Sequence, residues 1–513
     1  MKKHRTKERI GLHPVMMLLV LCFVTIVLSG ILSFFDVQAT YNRVSSLTGE
    51  YVVTTEAVTS LFNLSGLKYI FTTTVSSFAN FVVLSHLIII LLGIGIMVKS
   101  GFLKTVITML TKKMKKTTVT YVWVLICILA SIMGDLAYII FIPLGALLFL
   151  YGKRNPMLGI ITSFASLTCG SALSVFLTSI DSSLLDYTLV NAYIFDSSYA
   201  ISSFGYIFVM LVGIILLSLI ISNIVENYMA KRMPKYEFPE SDIEDELVIT
   251  KKKMRGLIFS LGAGLIYLLI FIYNIIPGLP FSGNLLDYSQ ELYIDKLFSY
   301  DSFFSQGFVF VVAVLFVLLG LFYGIGAKTI KNNKEFVDAL GHSLNGIGKI
   351  LVMIFAVSTF INIFKETNIG NVVAASLANL INNSNFSGLP ISILLFITSI
   401  IVTFVVPSPI SGWSTLASTV PTLMQAGISP EFAQVIFRLG NAVSIGLTPV
   451  FAYFIVYLAF LATYNQSSKP VTLKDAIKYQ LPFAGATCAL FLGIILVWYI
   501  VGMPLGVGTS VAP

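Results

Sequence analysis

Charge is scarce in this chain. Asp, Glu, Lys and Arg make up 11% of its 513 residues and hydrophobic residues 57%, with a mean hydropathy of +0.91. So little charge cannot clothe a soluble globule of this length, which points to a polytopic membrane protein. Cysteine and histidine are sparse too. Cys22, Cys127, Cys169 and Cys488 lie in apolar stretches without CxxC spacing, and His4, His13, His86 and His342 show no ligand spacing, which argues against a disulfide framework or a metal site. Neither HExxH nor GxSxG occurs, and there is no phosphate-binding glycine loop. An enzyme or an ATP-driven pump is therefore not expected. No short filter motif stands out that would suggest a symmetric channel.

What the chain does have is a series of apolar runs. The first spans Val15 to Phe35 and reads as a retained helix, because no small-residue cleavage site precedes Asp36. Others follow at 80–98, 120–133, 137–152, 203–224, 256–277, 304–323, 349–364, 389–406, 446–464 and 480–501. The net charge of +8 is distributed in short basic runs beside these spans. That placement orients loops toward the cytoplasm and does not suggest nucleic acid. Lys2, Lys3, Arg5, Lys7 and Arg9 put the N-terminal end inside, and Lys112 to Lys116, Lys153 with Arg154, and a polar loop at 225–255 mark further cytoplasmic segments.

Two stretches are apolar yet interrupted. Residues 157–188 carry Thr168, Cys169, Gly170 and Ser171 between two apolar arms, and residues 407–430 cluster Ser408, Pro409, Ser411, Gly412, Ser414 and Thr415. In hydrocarbon, freed backbone N–H and C=O groups cost several kcal/mol unless protein or trapped water satisfies them, so such breaks belong around a buried cavity. Paired breaks in two halves of a chain point to an inverted-repeat transporter, and the two stretches are predicted to be re-entrant hairpins. The competing reading is a helix whose Ser and Thr hydroxyls bond back to its own carbonyls.

Charges inside these elements are the candidate site. Arg438 either pairs with Glu431 or offers its planar fork to an anion. Asp181 either caps a helix or binds a coupling ion, and Asp135 reads first as a cap. Trp413 is either an interfacial anchor or an aromatic wall for a planar ligand.

Four stretches resemble the AbgT family of bacterial transporters: DLAYIIFIPLGALLF with the GKRNP turn, from Asp135 to Pro156; YGIGAKTIKNNKE, Tyr323 to Glu335; ISPEFAQVIFRLGN, Ile428 to Asn441; and VWYIVGMPLGVG, Val497 to Gly508. Together they cover essentially the whole chain in one order. The resemblance implies an all-α protein with about nine transmembrane helices and two opposed re-entrant hairpins, a homodimer in the bacterial inner membrane. It implies transport of p-aminobenzoyl-glutamate or related aromatic, folate-like anions, or export of sulfonamide-type antimetabolites. A channel, or a carrier for another organic anion such as a dicarboxylate, remains the alternative.

The residues it carries over are Asp181 for a coupling ion or proton, Trp413 and Arg438 for substrate, and Pro430 and Pro449 as hinges. Ser411, Asn441 and Ser174 join the substrate group. The family's Asp three residues beyond its Arg is Asn441 here, a nearby Asn is Ile445, a hairpin Ser is Ile410, and a hairpin Asn is Ser174. These changes remove hard oxygens and leave the coupling cation open between sodium and the proton.

Overall fold

The computed structural model describes residues 12–44, 50–175, 178–201, 205–238, 250–291, 293–298 and 302–513. The basic N-terminal run and most of the 225–255 loop lie outside the described residues.

Helix α1 (Pro14–Phe34) starts with proline at its first position, where no N–H is needed. A β-hairpin follows. Strands β1 (Gln38–Val44) and β2 (Tyr51–Ala57) pair antiparallel from Gln38↔Ala57 to Val44↔Tyr51. Their Thr, Tyr and Val content suits a pleated, half-buried ribbon, which packs Ala39 and Tyr41 against Val372 and Ala375. It is a small addition to the all-helical expectation.

Helices α2 (Leu64–Ala79), α3 (Val82–Lys99) and α4 (Phe102–Lys113) lead to the first reversal. Here α5 (Lys116–Ala130) runs in, a tip forms at Ser131–Asp135 around Gly134 at φ +56, and α6 (Leu136–Tyr151) runs back. A positive φ is where glycine is needed. The open ends meet: Arg154, just after α6, donates to the Lys116 carbonyl at 3.4 Å and to the Thr120 hydroxyl at 2.7 Å. After the turn, α7 (Pro156–Cys169) packs against α6 with glycines facing. A methyl on Gly159 would sit 2.1 Å from the Gly145 carbonyl oxygen.

The helix ends at Cys169, and the chain resumes as α8 (Ser179–Ala192). Residues 157–188 are thus a broken helix, and the predicted reversal at Thr168–Ser171 is corrected to an interruption in a continuing crossing. Periodicity could not distinguish the two, since both need small and polar residues at a break. The hydroxyls of Thr162, Ser163, Ser166 and Thr168 do bond back to carbonyls four residues earlier. That reading and the break coexist.

Helix α9 (Ile207–Arg232) includes a π-helical stretch at Ile224–Met229, so helix occupies the start of the 225–255 segment, and α10 (Lys251–Ile275) occupies its end. Then come α11 (Phe303–Ala327), α12 (Asn333–Leu340), α13 (Gly348–Glu366) and α14 (Ile369–Asn382).

The second half repeats the plan. Helix α15 (Leu389–Val405) runs in, the tip lies at Val406–Ser408, and α16 (Pro409–Leu416) with α17 (Val420–Gln425) runs back. Its open ends also meet, because the Gly388 N–H bonds the Ala426 carbonyl at 2.9 Å. The second reversal therefore spans 389–425, and the predicted 407–430 stretch is its returning arm. Helix α18 (Pro430–Ser444), buried along its whole length, ends in a 3₁₀ turn at Ile445–Leu447, and the chain resumes as α19 (Phe454–Tyr464) before the long α20 (Leu473–Val501).

The two broken helices run antiparallel. The start of α7 and the residues just after α19 both touch one segment, through Asn155 to the Pro234 carbonyl and Gln466 to Glu237. At the other end, Tyr199 beyond α8 donates to Glu431 at the start of α18. Eight helices are long and apolar enough to cross a bilayer. One of them holds the α5 arm; the other seven with the two broken helices make nine crossings among the described residues. Lys112, Lys116, Lys153, Arg232 and Lys251 all fall at one end of the bundle, the cytoplasmic one by the charge rule.

Candidate functional site

Both tips and both breaks converge on one cavity of about 650 Å³. The first half contributes Ser131, Asp135, Tyr138, Ser171 and Ile180, and the second contributes Ser408, Ser411, Arg438, Phe451 and Tyr453. Phe364, Lys365, Asn368 and Asn371, at the α13–α14 junction, close the side nearest the β-hairpin. Unwound backbone is thus confined to protein around a hollow, as the bilayer requires.

Arg438 is the positive centre. Its Nη2 donates to the Ser171 carbonyl at 2.7 Å, and its Nε lies 3.1 Å from Asp181 Oδ1. The Nε–H does not point along that contact, so it is an ion pair without an aligned hydrogen bond. Its partner is therefore Asp181, not Glu431, which accepts the Tyr199 hydroxyl at 2.7 Å. The Ser171 carbonyl of the first break and the Asp181 carboxylate stand beside a guanidinium that would be expensive to bury alone.

Asp181 is not the helix cap. Thr178 caps α8 by accepting the Asp181 N–H at 3.1 Å, and the Thr178 hydroxyl donates to Asp181 Oδ2 at 2.6 Å. Asp135 is different again: its side chain makes no capping bond with α6. It faces the cavity, with Tyr453 of the second break beside it.

Aromatic surface in the cavity comes from residues that sequence reasoning passed over. Tyr138 stacks on Tyr453, ring centroids 5.5 Å apart and 21° between planes, and Phe451 meets Tyr138 edge-on at 5.1 Å. Only the convergence of α6 with the second break makes this cluster, so no local pattern announced it.

The whole chain carries one family's pattern. Residues 5–512 match the family described as the "AbgT putative transporter family". The chain belongs to the AbgT family of transporters.

Over 505 residues it is 26% identical to the p-aminobenzoyl-glutamate transport protein of Escherichia coli K12, covering 98% of this chain and 95% of that one. It is similar to the solved structure of MtrF from Neisseria gonorrhoeae, reported as illuminating a class of antimetabolite efflux pumps, with 25% identity, 98% of each chain covered and a TM-score of 0.50. The YdaH transporter of Alcanivorax borkumensis matches at 23% identity over 96% of this chain and 100% of that one, with a TM-score of 0.48.

Within this AbgT transporter the sequence-derived residues separate. Arg438 and Ser411 line the cavity, and Asp181 lies directly behind Arg438. Trp413 is fully buried off the cavity. Its indole N–H donates to Thr188 and its ring leans on Phe437 at 4.9 Å. Asn441 is buried too, donating to Thr403 at 3.0 Å across α15 and α18. Ser174 sits half-buried in the first break, outside the cavity lining. Pro430 occupies the first position of α18 after the capping Ser429, and Pro449 lies in the second break.

Proposed function

We propose that this chain is a secondary transporter of p-aminobenzoyl-glutamate or a related aromatic, folate-like anion, working as a homodimer in the bacterial inner membrane and driven by a sodium or proton gradient. The observation that supports it most is the placing of Arg438 beside the Tyr138, Phe451 and Tyr453 rings in one cavity between the two halves. A guanidinium takes a carboxylate through two parallel hydrogen bonds, and aromatic rings add roughly 0.5–1.5 kcal/mol to the burial of a benzoyl group. Ser411 and Ser408, at the second tip, supply hydroxyls for the amide. Trp413 and Asn441 act by holding α16 and α18 in place, Ser174 by lending its backbone to the first break, and Pro430 and Pro449 by fixing where α18 begins and where the second break lies. Asp181 tunes Arg438: an anion drawn to the guanidinium competes with the carboxylate already beside it.

The test is counterflow in proteoliposomes preloaded with unlabelled p-aminobenzoyl-glutamate. A carrier accumulates labelled substrate against its gradient, and a channel does not. A sulfonamide or a plain dicarboxylate in place of the preload separates the three substrate classes. Accumulation with the dicarboxylate alone would overturn the aromatic reading.

A further inference from the structure

We propose that Asp135, at the tip of the first reversal, is the group whose protonation is coupled to anion binding in this transporter. The inference rests on the reading of the cavity as the transport site.

Four features of the geometry single it out. Asp135 begins α6, yet its carboxylate accepts nothing from the first turn of that helix, so the usual structural use of an aspartate at this position is absent. It is exposed, because it opens into the cavity. The hydroxyl-bearing ring beside it in the cavity wall, Tyr453, belongs to the break of the opposite half, so Asp135 stands where two pieces of the inverted repeat meet. No ion pair neutralises it among the described residues. Intramembrane carboxylates without a cation are costly and mark functional groups. Asp181, by contrast, is already held by Thr178 and Arg438.

The groups facing Asp135 can be named from each side. Tyr138 lies one turn along its own helix, Tyr453 on the second break, and Arg438 of α18 and Cys169 of α7 stand around the same Tyr138 ring. Lys365 of α13 also lines the cavity, and apart from it, Arg438 and Asp135 the lining is uncharged. A charged Asp135 therefore places a fixed negative charge in the chamber that must accept an anion. Taking up one proton turns the carboxylate into a neutral acid, removes that repulsion, and adds an O–H donor to the cavity wall while a carbonyl oxygen stays free to accept. Proton and anion then favour each other's binding, and linkage makes the effect reciprocal. The sign corresponds to co-transport of a proton with the anion.

Two measurements on the purified protein in nanodiscs test it. In pH-difference infrared spectra, the wild type shows a protonated-carboxyl band that titrates, Asp181→Asn keeps it, and Asp135→Asn loses it. This readout needs no substrate. Persistence of the full band in Asp135→Asn overturns the proposal. In titrations with p-aminobenzoyl-glutamate, wild-type affinity falls as pH rises, Asp135→Asn binds equally at every pH, and Asp135→Glu restores the dependence. Retained pH dependence in Asp135→Asn also overturns it, even when proton binding is seen. A titrating band without any p-aminobenzoyl-glutamate binding in the wild type would leave Asp135 as the proton site and remove the substrate assignment instead.

Discussion

Trp413 donates its indole N–H to the Thr188 hydroxyl at 2.9 Å, and that hydroxyl lies 2.6 Å from Gln434 Oε1. One short polar chain thus joins the returning arm of the second reversal and the outer halves of both broken helices. All three residues are buried.

Trp413→Phe keeps the ring against Phe437 and removes the donor. We expect a loss of about 1–3 kcal/mol in stability, the cost of leaving a buried polar partner unsatisfied, read as a lower melting temperature in detergent. Affinity for an aromatic anion stays at the wild-type level, because Trp413 does not line the cavity. A large affinity loss with unchanged melting would restore the ring-stacking role.

Arg438 and Asp181 are both nearly inaccessible. Removing one member of a buried pair leaves an uncompensated charge and costs roughly 3–5 kcal/mol. Asp181→Asn should show that loss in thermal unfolding, and the double variant Asp181→Asn with Arg438→Gln should recover part of it. Strict additivity of the two single losses would show that the pair is not coupled.

Gly159 has no room for a side chain, since its added methyl would strike the Gly145 carbonyl, which is backbone and cannot yield cheaply. Gly159→Ala should lower folded yield and cost at least the roughly 1–3 kcal/mol of ordinary overpacking. Gly485→Ala, in α20 with nothing within 4 Å of its added methyl, should instead be neutral or gain about 0.4–1 kcal/mol from the unfolded state. Size-exclusion profiles and melting curves of the two variants side by side decide it.

Tyr138→Ala removes the ring that stacks on Tyr453. Calorimetric affinity for p-aminobenzoyl-glutamate should drop by at least the 0.5–1.5 kcal/mol assigned to ring contacts, roughly 2- to 13-fold. Tyr138→Phe retains the ring and should stay close to wild type. Equal losses in both would move the role from the ring to the hydroxyl.

Much of this architecture could be read from residue order alone. The long apolar helices stand where uninterrupted runs of Leu, Ile, Val and Phe stand, because nothing else satisfies the backbone in lipid. The two breaks and Arg438 were also legible, as polar interruptions in apolar stretches. What sequence could not show is the sense of each interruption. Thr168–Ser171 looks like a turn, and Ser131–Asp135 like a helix junction, yet contacts far along the chain, such as Arg154 to Lys116, make the second one the reversal. Asp181 and Arg438, 257 positions apart, pair only once the broken helices lie antiparallel. The Tyr138 and Tyr453 stack is hidden for the same reason. Asp135 reads as a cap because aspartate at a helix start usually caps it, whereas here its carboxylate turns into the cavity.

The cavity wall is shared unequally. Most of it comes from the tips and breaks, but one side is the α13–α14 junction with Lys365, Asn368 and Asn371, and Asn368 is itself tied to Glu56 of the β-hairpin at 2.8 Å. A solute that touches both sides acts as a removable spacer between the inverted repeat and the outer frame. Any sliding of one past the other changes how well it is gripped, so occupancy and relative position are two readings of a single free energy.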